Sequence, residues 1–510
     1  MKSFIPRRSH YRHARFLLTL AIACGLQAAV KLPSFFSDHM VLQRGIPVRI
    51  WGSADAGESV RVELEGQSVA VKAGDDGKWV AWLRPLTAAG PLDLTITGAN
   101  IIVIHDVLVG EVWLGSGQSN MEFATNNVIN RDEELAHADY PMIRLFKVKH
   151  AVAEQPADDV AGSWQLCSGQ TVKNFSAVEY FFGRHLHERL AVPVGLIESD
   201  WGGTPAQSWI SHQAIETDPS LQYVLDEWDK VLANYPGAKE RYDRQLETWN
   251  QAVAAAKAEG KTPPNRPGAP AGPGHQNTPG GLYNGMIAPL AGYGMRGAIW
   301  YQGESNANEA HAWLYRRLFP AMIQDWRNRC GVGDFPFYFV QLANYKSNTW
   351  WPVLRESQTD TLRLANTAMA VTIDVGLSTN IHPTNKQDVG LRLALAARAL
   401  TYREPIEYSG PVFQTAAPEG AAMRVYFSHA DQLQVRGGGA VAGFEVAGAD
   451  GKYVEAQARI DGATVVVSSP QVEAPVAVRY AWADDPVCNL IDGSALPAGP
   501  FRSDQPHYNR

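Results

Sequence analysis

Residues 106–123 read DVLVGEVWLGSGQSNMEF, and the rest of the chain is organised around them. An apolar run (Val107, Leu108, Val109, Val112, Trp113, Leu114) breaks at Gly115-Ser116-Gly117. Ser119 follows at once, flanked by the amides Gln118 and Asn120. A buried strand that stops at glycines and hands over to a serine is how α/β hydrolases expose a nucleophile at the carboxyl edge of a sheet. Here Gly117-x-Ser119 is followed by Asn120-Met121, so the second glycine of the usual elbow is missing. A lone Gly-x-Ser is also an ordinary polar loop after a strand, and the rest of the chain decides between the two.

Outward from this stretch, apolar strands are expected at 107–113, 194–198, 297–301, 336–342 and 369–374. Helical stretches alternate with them, clearest at 178–190 and 389–402. That alternation predicts a parallel sheet with helices on both sides, an α/β class core over 106–403. A polar helical insertion at about 216–281 interrupts it and ends in a Pro/Gly-rich loop, 262–281. Short period-two runs such as Val60-Val62-Leu64 and Trp79-Ala81-Leu83 predict a small β-sandwich at 30–105. Similar runs, for example Val476-Val478-Tyr480, predict a second β-domain at 404–510.

Arg7, Arg8, Arg12 and Arg15 precede the apolar segment FLLTLAIACGL and then Ala28 and Ala29. This order is that of a secretory signal peptide, expected to occupy 1–29 and to send the chain across the inner membrane to the periplasm or beyond. Cys24 leaves a lipoprotein leader as the alternative. The apolar run is shorter than the ~20 residues a membrane span needs, and no later segment reaches that length. Once the leader is removed, Cys167, Cys330 and Cys488 allow at most one bridge, and no Cys/His spacing resembles a zinc site. Net charge is −7, from 45 basic and 52 acidic residues, with no basic stripe, so a nucleic-acid partner is not expected.

Four blocks carry chemistry. Ser119 needs a base to become a nucleophile. Glu198-Ser199-Asp200-Trp201-Gly202-Gly203-Thr204-Pro205 follows a strand; its glycines let backbone N–H groups approach an oxyanion, or simply form a tight turn. In Trp300-Tyr301-Gln302-Gly303-Glu304-Ser305-Asn306, Glu304 is placed to orient a histidine, and Gln302 or Asn306 to donate to developing negative charge. Finally, Asp374 and the run Asn380-Ile381-His382-Pro383 lie beyond the last strand, with His382 as the candidate general base. Each block alone has a structural reading. Together, each at the end of a strand of one sheet, they converge on one crevice.

The segments GQSNM (117–121), WGGTPAQSW (201–209), WYQGESNA (300–307) and IHPTNKQDVGLRLA (381–394) resemble the sialate O-acetylesterase family, a branch of the SGNH hydrolases. SDHMVLQR (37–44), LRESQ (354–358) and the tail DPVCNL…LPAGPFRSD agree, so the resemblance spans nearly the whole mature chain. It implies a flavodoxin-like α/β/α core with flanking β-domains, and removal of acetyl groups from sugars without metal or organic cofactor. It implies Ser119 as nucleophile and His382 as general base. The oxyanion would be held by the Ser119 N–H, the Gly203 N–H and an amide side chain of the third block. The acid departs from the family pattern: the position three before the histidine is Thr379, and two before it is Asn380. Related acetylxylan esterases use the glutamate of a similar Gln-Gly-Glu block, so Glu304 is the expected acid, with Asp374 second; if neither reaches His382, a Ser–His dyad remains. The expected substrate is O-acetylated sialic acid; Arg144 and Arg355 are candidates to meet its carboxylate, an ordinary surface or ion-pair role being the more expected reading of each. Rival readings are an esterase on another glycan such as xylan, a carbohydrate-binding protein with an inactive site, and a glycosidase using Glu304 and Asp374. The last leaves Ser119 and His382 without a role.

Overall fold

The computed structural model describes Met1 and residues 29–87, 89–347 and 350–504. The leader expected at 1–29 therefore lies outside the described residues except for its two ends. The central element is β1 (Ile101–Gly117), whose carboxyl-terminal two-thirds is continuously buried. Its first residues pair antiparallel with the strand Ala89–Thr97, and its last residues pair parallel with strands on both sides. The boundary expected between 105 and 106 thus falls inside one strand. Asp106, at the changeover, has φ +55°, and its carboxylate accepts from Arg144 Nη2 at 2.8 Å and meets His39 Nδ1 at 2.7 Å.

The remaining strands of this sheet are β2 (Tyr140–Lys147), β3 (Trp164–Cys167), β4 (Val194–Asp200), β5 (Gly297–Tyr301), β6 (Phe337–Val340) and β7 (Thr367–Ala370). Their order is β7-β6-β5-β1-β4-β2-β3, parallel throughout except for β3. The sheet is therefore mixed rather than wholly parallel. From β1 the chain passes over to β2 and the edge strand β3, returns to β4 beside β1, then crosses to β5 on the other side of β1 and runs outward through β6 to β7. A crevice opens beyond the strand ends at such a reversal.

Helices cover both faces. Trp113 in β1 packs edge-on against Phe182 of α1 (Ala177–Leu190), ring centroids 4.9 Å apart. Trp300 in β5 meets Trp326 of the next core helix at 5.9 Å. Gly297 pairs with Trp113 in register, so Trp300, three residues on, lies on the opposite face. The insertion is α2 (Gln222–Ala258), 37 residues with only Val224 buried, consistent with its polar sequence. Trp326 belongs to α3 (Tyr315–Cys330); α4 (Trp351–Asp360) and α5 (Gln387–Ala396) complete the core helices. Gly390 of α5 lies so close to α1 that a Cβ there would be 2.6 Å from Phe181 Cβ.

The amino-terminal strands show the expected alternation, with Lys78–Leu83 exposed and buried in turn, and their apolar side is continuous with the α/β core. The carboxyl-terminal strands form two four-stranded sheets around a core of their own, built on Val425, Phe444, Val446, Val465 and Tyr480. Val371 and Ile373 join that second core, which ends β7 earlier than the apolar run suggests. There side chains take over the ladder: Thr372 Oγ1 donates to the Gln341 carbonyl at 2.6 Å, and Arg392 Nη1 to the Val371 carbonyl at 2.6 Å. Cys167, Cys330 and Cys488 are all free thiols. No helix among the described residues is long and apolar enough to cross a membrane.

Candidate active site

The nucleophile turn is built by close approach. Gly117 has φ +144°, and a Cβ there would sit 2.2 Å from the Tyr301 carbonyl oxygen, so only glycine lets β1 leave the sheet against β5. Gln118 N–H then donates to that same carbonyl at 3.0 Å. The chain turns at once: the N–H groups of Met121 and Glu122 both donate back to the Gln118 carbonyl, at 2.8 and 3.0 Å. The N–H of Ser119, inside the turn, has no acceptor among the described residues.

His382 arrives from the loop between β7 and α5. Its Nε2 lies 2.9 Å from Ser119 Oγ, across 263 residues of sequence. Its backbone N–H donates to Asn380 Oδ1 at 3.0 Å, so the amide two positions before the histidine shapes the loop. Burial, and then the charge of Lys386, holds the imidazole below its ordinary value. A neutral ring with its proton on Nδ1 can accept from the serine hydroxyl.

No carboxylate pairs with the His382 ring among the described residues, which corrects both expected acids. Asp374 is fully engaged elsewhere: Arg392 holds both its oxygens, at 2.6 and 2.8 Å, and Arg436 Nη1 lies 2.5 Å from Oδ2. These guanidinium groups keep its carboxyl below the usual range despite burial. Glu304 does stand at the site, but against Asn120, whose Nδ2 donates to Glu304 Oε1 at 2.5 Å and to the Ile381 carbonyl at 3.0 Å. Asn120 Oδ1 in turn accepts from Lys386 Nζ at 2.5 Å. Glu304 is therefore linked to the residue before His382 through the Asn120 amide, with no contact to the imidazole among the described residues. Burial raises the Glu304 carboxyl and pushes the Lys386 ammonium down to about 7, each opposed by the other's charge. Sequence reasoning gives Asn120 and Lys386 no role of this kind, although the Asn385-Lys386 pair before α5 was there to find.

The second block supplies a candidate oxyanion donor. Gly203 has φ +74°, and its N–H has no acceptor among the described residues. Gly202 stands against the nucleophile: a Cβ there would be 3.3 Å from Ser119 Cβ. Gln302, the other expected donor, is spent. It is fully buried, and its Nε2 reaches Asn306 Oδ1 at 2.8 Å and both Gln118 Oε1 and the Thr204 carbonyl at 3.2 Å. It ties three blocks together instead of facing substrate. Asn306 Oδ1 also accepts from Ala206 N–H at 3.0 Å, and its Nδ2 donates to Gln207 Oε1 at 3.0 Å, which leaves one amide hydrogen for an oxyanion.

The two arginines suggested for a sugar carboxylate are committed too. Arg144 holds Asp106, and fully buried Arg355 donates to the carbonyls of Leu342, Ala343, Ala483 and Asp484. A cleft of about 410 Å³ adjoins Gly203, lined also by Gln207, Trp228, Asn277 and the Glu227–His311 pair, whose atoms are 2.8 Å apart.

Residues 273–401 match the family model for carbohydrate esterase, sialic acid-specific acetylesterase. The chain is similar to rat sialate O-acetylesterase, 33% identical over 442 residues and 78% of each chain. It is similar to the human enzyme of that name, 31% identical over 529 residues and 92% of each chain. Among solved structures it is similar to a carbohydrate acetylesterase from Xanthomonas citri, with 38% identity and a TM-score of 0.80. That likeness covers 94% of this chain and all of the other.

Proposed function

This chain belongs to the sialate O-acetylesterase family, and on that premise we propose that it is a serine esterase removing O-acetyl groups from sugars, O-acetylated sialic acid first among them. The observation that carries this reading is the 2.9 Å contact between Ser119 Oγ and His382 Nε2 beside free backbone donors. In the first step His382 Nε2 takes the hydroxyl proton as Oγ bonds to the acetyl carbonyl carbon. The carbonyl oxygen becomes an oxyanion, held by the N–H groups of Ser119 and Gly203 and by the remaining amide hydrogen of Asn306. As the ester C–O bond breaks, His382 returns the proton to the departing sugar oxygen, leaving acetyl-Ser119. Water, deprotonated by the same imidazole, then attacks the acyl carbon; the acyl C–Oγ bond breaks, acetate leaves and His382 returns the proton to Ser119 Oγ. The pair works as a dyad, its histidine loop held through Asn120 by Glu304 and Lys386.

The strand order reversing at β1 supports reading the core as a flavodoxin-like SGNH hydrolase. The separate apolar core of the carboxyl-terminal strands supports a division near 404. The leader pattern over 1–29 supports export to the periplasm or beyond. An acetylated neutral glycan is the second reading of the substrate, favoured by the engagement of Arg144 and Arg355 and by Glu227 in the cleft lining. The test compares wild type and Ser119→Ala on a chromogenic acetate ester, then measures acetate release from O-acetyl sialic acid and acetylated xylan. Loss of turnover in the variant supports the serine mechanism, and undiminished turnover rejects it. The two natural substrates rank the readings of specificity.

A further inference from the structure

We propose that Glu122, His150 and Asp200 bind one divalent transition-metal ion, of the zinc or manganese class, beside the Gly202-Gly203 turn. The three residues come from separate places: the turn after Ser119, the loop after β2 and the last position of β4. One donor atom from each lies within 4.8 Å of the other two. His150 Nε2 is 3.5 Å from Glu122 Oε1. That is long for a charge-assisted hydrogen bond, about 2.7–2.9 Å. It is close to the spacing, roughly 3.0–3.4 Å, of two ligands that share a cation bonded at about 2.0–2.2 Å.

Asp200 is the second, independent sign of a ligand. It is 2% exposed, yet no group donates to its carboxylate among the described residues, and Oδ2 is sealed from solvent. A buried carboxylate without donor or counter-charge is costly. The nearby ammonium of Lys147 is taken by Glu198. A cation supplies the missing partner. His150 is held ready as a ligand, because its ring stacks on Trp201, centroids 4.1 Å apart and planes 8° from parallel, which fixes its plane. Glu122 accepts the Gly202 N–H on Oε2 at 2.6 Å and keeps Oε1 free for the ion. One imidazole nitrogen with two carboxylate oxygens suits zinc or manganese better than calcium or magnesium, which favour all-oxygen sets.

The ion touches no reacting atom. It anchors Glu122, and through the Gly202 N–H the turn whose next N–H, on Gly203, faces the oxyanion. Binding itself is independent of the esterase reading.

The test strips wild-type protein with a chelator, adds Zn²⁺ or Mn²⁺ with Ca²⁺ as comparison, and counts retained metal by plasma mass spectrometry after gel filtration. The expected result is about one ion per chain, with a higher Tm. Asp200→Asn and His150→Gln are each expected to weaken binding at least tenfold and to lose the Tm rise. Ser119→Ala is expected to bind as wild type although inactive, which separates this inference from the catalytic one. His150 is on the surface, so His150→Gln decides the matter if Asp200→Asn does not fold. No stoichiometric binding by wild type, or unchanged binding in His150→Gln, overturns the proposal.

Discussion

Glu304→Gln separates a dyad held indirectly from a triad. Glu304 accepts one hydrogen bond from Asn120 at 2.5 Å, and no carboxylate reaches the His382 ring among the described residues. The substitution keeps an acceptor for Asn120 and removes its charge. A hydrogen bond to a charged group contributes ~1.5–3 kcal/mol and a neutral one ~0.5–1.5 kcal/mol. The difference, about 1–1.5 kcal/mol, corresponds to a fall in kcat/KM of about five- to thirteenfold. A carboxylate touching the imidazolium would instead be worth ~10⁴ in kcat. The assay is kcat/KM on a chromogenic acetate ester from pH 4 to 9, with folding checked by circular dichroism. A loss of a thousandfold or more in a folded variant would refute the indirect role and restore Glu304 as the acid of a triad.

Other consequences can be measured on the same footing. His382 must be neutral to accept the serine proton, and burial and Lys386 lower its pKa, so the acid limb of kcat/KM is expected with its midpoint below 6.5, activity falling only as pH drops through it. Lys386→Met removes a positive charge that disfavours imidazolium, so the His382 pKa rises and that limb moves to higher pH; an unmoved limb contradicts the electrostatic coupling. Gly202→Ala places a Cβ 3.3 Å from Ser119 Cβ and 3.0 Å from Glu122 Oε2. It is expected to lower kcat/KM by about 10²-fold through misplacement of the nucleophile, with Tm nearly unchanged. Gly203→Ala meets nothing closer than 3.8 Å but sits at φ +74°, so it is expected to cost ~1–2 kcal/mol in stability by denaturant titration.

The meeting of Ser119 and His382 is legible in the chain because each follows the end of a strand, and strand ends of such a sheet converge. Side-chain direction was not legible. Glu304 reads as a triad acid by its place after β5, yet the structure turns it to Asn120, a contact spanning 184 residues. Asp374 follows β7 in the same suggestive way, and only the folded chain shows Arg392 and Arg436 holding it. Gln302 carries the right chemistry for an oxyanion donor, but its burial behind three loops uses both its hydrogens. The amino-terminal boundary was hidden because one strand, β1, serves both neighbouring units. The contact of Lys386 with Asn120 spans 266 residues, so no local sequence pattern signals it.

The central claim is that the hydroxyl at 119 forms the covalent intermediate, with His382 as its base. A fluorophosphonate probe reports on this directly, since it reacts only with an activated nucleophile. Intact mass and peptide mapping of the labelled protein should show one adduct, on Ser119, much slowed in His382→Ala and absent from Ser119→Ala. An adduct on another residue, or hydrolysis of acetate esters that persists undiminished in Ser119→Ala, would contradict the account.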